Sequence, residues 1–357
     1  MGCEMYRREA KNQLTMDEFM LPFGGKLLAD NRWVRLAKLM LWEVVEEEYS
    51  KSMCEEEGRQ SLPARLAYGA IHLKEQEGLT DERTVKYLQE NPYAQYFVGQ
   101  KEFRKEALFD ASMMVHFRKR FPPEAIQRIN EALYKRVQPK AKEPPPDSGS
   151  SSEKEQPASP KEEPQNEERI VSLRQPHVRC IVHGKARTRY EFGQKLHLSV
   201  VDGFTFLEHQ SWDNFHEGAQ LIAVAERYRQ RFGVYPKAIL ADKIYRNREN
   251  LRFCKENDIR LSGPRLGRPP KEGAQADQSQ AYKDSCQRNE IEGRNGISKR
   301  RYGLDLIMST LPETAMTEAA LNVLVMNAAH LLRMLLRLLR RVLPRSLARL
   351  RYVYITA

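Results

Sequence analysis

The segment Tyr235-Pro236-Lys237-Ala238-Ile239-Leu240-Ala241-Asp242-Lys243-Ile244-Tyr245-Arg246 decides how the rest of the chain is read. Pro236 punctuates the end of one element, and the short apolar run Ala238 to Ala241 suits a strand buried on both faces. That strand is expected to end in a carboxylate. In open α/β sheets ligands and metals gather at the carboxyl ends of strands, which makes Asp242 a candidate catalytic and metal-ligating residue. A second acid, Glu292, lies in Arg288-Asn289-Glu290-Ile291-Glu292-Gly293-Arg294-Asn295-Gly296-Ile297-Ser298-Lys299. Two separated acids among arginines and lysines suit metal-assisted phosphoryl transfer. Carboxylates hold Mg²⁺, the ion activates one oxygen and stabilises the leaving one, and the cations hold a polyanionic substrate.

Around this segment the pattern is α/β. Leu196, Leu198 and Val200 alternate with Lys195, His197 and Ser199 as a half-buried strand. Asp202-Gly203 is a hairpin turn, and Phe204 and Phe206 bring the chain back. A helix follows with Leu221, Val224, Ala225, Tyr228 and Phe232 on one face, and Gly233 ends it. Strand, strand, helix, strand fits an RNase H-like fold whose opening strand has been lost or must be supplied by something else. Past Asp242, Ile259 to Pro270 forms a basic Gly/Pro loop in which Arg265, Arg268 and Lys271 are placed for phosphate contacts. Arg288 and Glu292 are expected on one helix face at i, i+4, where a surface ion pair is the plainer reading. Residues from Thr314 to Leu339 read as a helix with a broad apolar face, expected to pack on the sheet. Seven arginines between Arg333 and Arg351, with no acid after Glu318, continue it as a basic tail.

The first block, about Leu14 to Val137, reads as helical, with one helix expected through Leu36, Leu39, Leu41, Val44 and Val45. A helix beginning near Pro63 stops at Gly78, and Thr80 caps the next. Such a pair can set its second helix in a major groove with Arg83, Lys86 and Gln89 toward bases and phosphates; an ordinary helical hairpin is the alternative. Arg118 and Lys119, in Phe117 to Arg120, are a second group of phosphate-contact candidates, against a solvated basic helix end. Between Pro139 and Glu168 there are seven prolines, five serines and no aromatic residue, a composition that cannot bury enough apolar area to order itself. The expected organisation is therefore α + α/β: a helical, DNA-binding domain at 1–138, a flexible linker at 139–168, an RNase H-like domain at 169–312, and a carboxyl-terminal helix with its basic tail at 313–357.

A net charge of +11 favours a polyanionic partner, nucleic acid first. Cys3, Cys54, Cys180, Cys254 and Cys286 are odd in number and form no C-x-x-C pair, so neither a disulfide framework nor a zinc site is expected. No signal peptide and no apolar run of membrane-spanning length are read from the sequence, and no membrane partner is expected.

Arg288, Glu292 and Lys299, spaced by three and six residues, fit Y-x-x-R-x-x-x-E-x-x-x-x-x-x-K, with Ser285 at the tyrosine position. In this the chain resembles insertion-sequence DDE transposases of the insertion sequence five type. Asn91 to Gly99 and Phe109 to Arg120 resemble their amino-terminal domain, and the loop at Ile259 to Pro270 matches as well. The resemblance implies cleavage at element ends by water and strand transfer by the freed 3′-OH, both Mg²⁺-dependent, with two ions in an intact site. Asp242 and Glu292 are then metal ligands, and Arg288 and Lys299 lie near DNA. It further implies a homo-oligomer on transposon ends and a cytoplasmic, nucleoid-associated place in a bacterium or archaeon. Family members carry a strand with the first catalytic Asp where this chain has its linker, whose one aspartate is Asp147. Two expectations follow: a DDE-type transposase whose catalysis is in question, or a non-catalytic DNA-binding derivative that binds element ends.

Overall fold

Apolar periodicity and short polar caps produce most of the helices in the computed structural model, which describes residues 4–6, 15–21, 24–53, 59–137, 171–182, 190–263 and 274–342. In chain order the helices are α1 (Arg32–Leu39), α2 (Trp42–Ser50), α3 (Ala64–Glu77), α4 (Asp81–Glu90), α5 (Pro92–Phe97), α6 (Met113–Arg120), α7 (Pro123–Lys135), α8 (Leu221–Phe232), α9 (Arg248–Glu256), α10 (Ala274–Arg301) and α11 (Pro312–Val342). The strands are β1 (Glu4–Met5), β2 (Arg59–Gln60), β3 (Arg179–Val182), β4 (Tyr190–Gly193), β5 (Lys195–Val201), β6 (Phe204–Ser211), β7 (Ala238–Ile239) and β8 (Arg260–Leu261). The linker at 139–168, the loop holding Arg265, Arg268 and Lys271, and the tail beyond Val342 lie outside the described residues.

The chain divides into two units. The first comprises Met1–Lys135, Leu198–Leu207 and Glu290–Ala357; the second comprises Arg136–His197 and Glu208–Asn289. In the first, Asn31 caps α1 through Trp33 N at 2.9 Å, and Thr80 caps α4 through Arg83 N at 3.2 Å. Gly78, at φ +64, closes α3 in the left-handed conformation that glycine adopts without strain. The single helix expected through Leu36 to Val45 is instead broken at Met40 and Leu41 into α1 and α2. Trp33, Trp42, Tyr68, Phe97 and Phe121 form the aromatic centre of this unit.

α11 packs against α7, α3, α6 and α1, so its apolar face closes the helical block more than any sheet. It also meets the turn of the β5–β6 hairpin, where Asn327 accepts from Thr205 N at 3.0 Å and donates to Thr205 O and to Asn130 Oδ1. Contrary to expectation, α11 is long and apolar enough to cross a membrane by length and composition alone. Leu321, Leu324, Val325 and Met326 are buried within this unit beside buried Glu318, Asn322 and Asn327, which a lipid-facing helix does not tolerate without partners.

Strands in the second unit are short. β3 and β4 pair antiparallel, and β7 pairs parallel with β8, Ala238 opposite Arg260 and Ile239 opposite Leu261. Leu221, Ala225, Cys254 and Ile259 make its core, with Tyr235, Ile239, Tyr245, Phe253 and Leu261 around them. The predicted order strand, strand, helix, strand is present as β5, β6, α8 and β7. The described strands nevertheless pair two by two and do not join into one sheet. Overall the structure is a mixture of helices and small sheets, in keeping with the α + α/β expectation at that level.

Candidate functional site

β7 ends at Ile239, so Asp242 is not the last residue of a strand but the N-cap of the turn Lys243–Tyr245. Its Oδ1 accepts from Lys243 N at 2.7 Å, as short acids do at caps. Several contacts fix the backbone on either side. Ser262 Oγ accepts from Ala241 N at 2.9 Å and donates to Ala241 O at 3.1 Å. Buried Asn250 donates to Tyr245 O at 2.8 Å and to Gly218 O at 2.7 Å. Arg246 Nη1 donates to Leu261 O at 3.0 Å and Ser262 O at 2.8 Å, passing so close to Gly263 that a Cβ there would sit 2.8 Å from Arg246 Cδ.

Tyr245 hydrogen-bonds His197 Nε2 at 2.8 Å and stacks on that ring with 17° between planes. Burial raises the Tyr245 phenol and lowers the His197 imidazole, so both are neutral near pH 7 and can share that hydrogen bond. The Asp242 side chain remains 69% exposed, and Arg288 Nη1 of α10 reaches its Oδ1 at 3.3 Å. The sequence paired Arg288 with Glu292 along the helix; the structure pairs it with Asp242.

Glu292 is exposed on α10, in the first unit, whereas Asp242 and Arg288 belong to the second. Lys299 is half-buried near the end of the same helix. Among the described residues no group of three or more His, Cys, Asp or Glu side chains is arranged to hold a metal ion. Asp202 takes a hydrogen bond from Tyr134 at 2.7 Å with φ +50 in the hairpin turn, and Asp213 is exposed. Among the described residues, then, no carboxylate set is arranged as a two-ion site with a shared ligand calls for.

The amino-terminal candidates separate cleanly. Arg83 and Lys86 are exposed on α4, and Gln89 is committed to Lys105 O at 3.2 Å. Lys119 is exposed, but Arg118 is 4% exposed and its guanidinium forks onto both oxygens of Asp81 at 2.9 and 2.8 Å. Arg120 is also buried, donating to Tyr49 OH at 2.7 Å. Neighbouring basic residues on a helix point in different directions, and here two of three face the core. The signal missed in sequence was Asp81, the acid that tethers α4 to α6.

Comparison with known proteins adds two family models. The one described as Transposase domain (DUF772) matches residues 23–120, the helical block, and the one described as Transposase DDE domain matches 239–329, from the end of β7 through most of α11. A protein of Rhizobium meliloti described as uncharacterized protein ORF8 in nfe locus is 36% identical over 99 residues, 28% of this chain. The chain spans about half the length of that curated relative, 47% of it. No solved structure matches. With both transposase domains in order on the two sides of the linker, and the Arg288, Glu292 and Lys299 spacing inside the second, the chain belongs to the insertion-sequence DDE transposases.

Proposed function

We propose that this chain binds insertion-sequence ends as a DNA-binding derivative of a DDE transposase, with an incomplete phosphoryl-transfer centre. The observation that carries the reading is the surroundings of Asp242. Its carboxylate is engaged by Lys243 N and Arg288 Nη1, and among the described residues no group of three or more His, Cys, Asp or Glu side chains could hold a metal ion. Mg²⁺ held by an intact acid set would activate water and the 3′-OH; with two ligands where the family uses three, binding outlasts catalysis. Support for DNA as the partner comes from the family, the charge of +11, and exposed Arg83, Lys86 and Lys119 on the helical block. Arg265, Arg268, Arg288 and Lys299 extend the proposed contacts, while Arg118 is excluded from them by its pairing with Asp81. An RNase H-like domain without its opening strand, assembly as a homo-oligomer on paired ends, and a place with the nucleoid in the cytoplasm complete the proposal.

A second reading has its own support. Asp242 is exposed on a turn that Ser262 and Asn250 hold rigidly, so it is open to an incoming ion, and a functional transposase remains the alternative. Footprinting on DNA carrying the element's terminal repeats tests the binding claim. Protection confined to the ends, weakened by Arg83→Gln or Lys86→Gln, is expected; uniform protection of unrelated DNA would overturn end recognition.

A further inference from the structure

Arginines and a histidine converge where the part of α10 from Glu290 onward, α11 and the turn of the β5–β6 hairpin meet, in the parts of these elements that belong to the first unit. The Arg294 side chain is 11% exposed, and its Nη2 lies 3.2 Å from His330 Nδ1. The carboxylate that approaches it is Glu290, at 3.9 Å and 54% exposed, outside hydrogen-bond reach. Asp202, the acid of the turn, is taken by Tyr134 OH at 2.7 Å. The turn itself presses onto the pair: a Cβ on Gly203, at φ +77, would lie 2.8 Å from Arg294 Nη2 and 3.0 Å from His330 Nε2.

One face of α11 continues the cluster. His330, Arg333 and Arg337 follow one another at i, i+3 and i+7, with Arg333 half-buried and Arg337 exposed. Burial, together with Arg294, Arg333 and Arg337, pushes His330 down to about 4, so the ring is neutral at pH 7 and accepts from Arg294. These groups concentrate positive charge where, among the described residues, no carboxylate hydrogen-bonds Arg294, a charge that an external anion would offset.

We infer that Arg333 and Arg337, backed by the Arg294–His330 pair, form a binding site for the phosphodiester backbone of duplex DNA. The inference rests on the DNA-binding reading above and assigns it a contact outside the transposase signature. Guanidinium groups one turn apart suit phosphate oxygens, which accept forked hydrogen bonds, and such contacts anchor the duplex without reading its sequence.

The test uses the full chain and fluorescence anisotropy with two labelled duplexes, one carrying an element end and one scrambled, over a series of salt concentrations. Arg333→Gln and Arg337→Gln are compared with Lys38→Gln, an exposed charge on α1, and melting curves establish that each variant is folded. Each arginine variant is expected to weaken both duplexes alike, roughly eight-fold at 0.1 M salt, and to flatten the plot of log affinity against log salt by about 0.9. If both arginine variants keep the parent's affinity and slope, or if Lys38→Gln weakens binding equally, the site is refuted while end binding stands. If the parent binds neither duplex, the DNA-binding reading falls and this site with it.

Discussion

Lys74→Met should destabilise the first unit strongly, because it removes the charge at the centre of a buried ion-pair group. Lys74 Nζ lies 2.7 Å from Glu75 Oε1 and 3.2 Å from Glu318 Oε1, joining α3 to α11. The three side chains are 4%, 5% and 2% exposed, so water cannot replace the ammonium. Glu318 would keep its bonds from Met308 N, Ser309 N and the Ser309 hydroxyl, but buried Glu75 would lose its ammonium partner and face Glu318, with Arg118 as the remaining opposing charge. Breaking a buried pair from one side costs about 3–5 kcal/mol. For a unit of this size that corresponds to a fall in Tm of roughly 10 °C or more.

The deficit should also depend on pH, with a definite sign. Burial and the neighbouring Glu318 push Glu75 up to about 7 despite Lys74. A carboxyl raised in the folded state holds its proton there while the unfolded chain, near 4.5, has lost it. Stability therefore falls as pH rises from 4.5 through about 7, by at most about 1.4 kcal/mol per pH unit for one proton. Without Lys74 the Glu75 carboxyl holds its proton to higher pH still, so the variant should lose more at pH 8 than at pH 6. Urea unfolding at both values, followed by helical circular dichroism, reads the effect. A variant as stable as the parent at pH 8, or a deficit identical at both, would refute the argument.

Glu75→Gln should be nearly neutral, within about 1 kcal/mol by the same urea assay at pH 7, because Lys74 keeps Glu318 and a neutral side chain resembles protonated Glu75. Asn327→Ala removes bonds to both backbone groups of Thr205 and to Asn130, and should cost about 2–4 kcal/mol in thermal or urea unfolding. Gly203→Ala should cost about 1–3 kcal/mol, since its φ of +77 and the nearby Arg294 and His330 both oppose a Cβ; Gly78→Ala, with nothing within 4 Å, tests the backbone part alone. Arg288→Gln breaks an exposed pair and should change stability by less than about 1 kcal/mol, leaving Asp242 open.

Much of this was legible from sequence because the signals were local. Gly78 followed by Thr80 defined the α3–α4 turn, Asp202-Gly203 the hairpin, and Gly233 the end of α8, each through its own backbone preference. What sequence did not give was decided by partners distant along the chain. Arg118 looked like a phosphate contact until Asp81 was found opposite it, 37 residues earlier. Apolar spacing showed that α11 has a buried face, yet not that this face closes on α7 and α3. Asp242 was read as the acid closing an expected strand, but the polar contacts of Ser262 and Asn250 make its turn, and Arg288 bonds across 46 residues to reach it.

The most direct test incubates the full chain with a supercoiled plasmid bearing the element's two ends, with Mg²⁺ or Mn²⁺, and looks for cuts at the terminal phosphodiesters. An acid set one carboxylate short predicts stable complexes at the ends and no cleavage or strand transfer with either ion. Terminal nicks that disappear in Asp242→Asn or Glu292→Gln would contradict that and restore a working transposase.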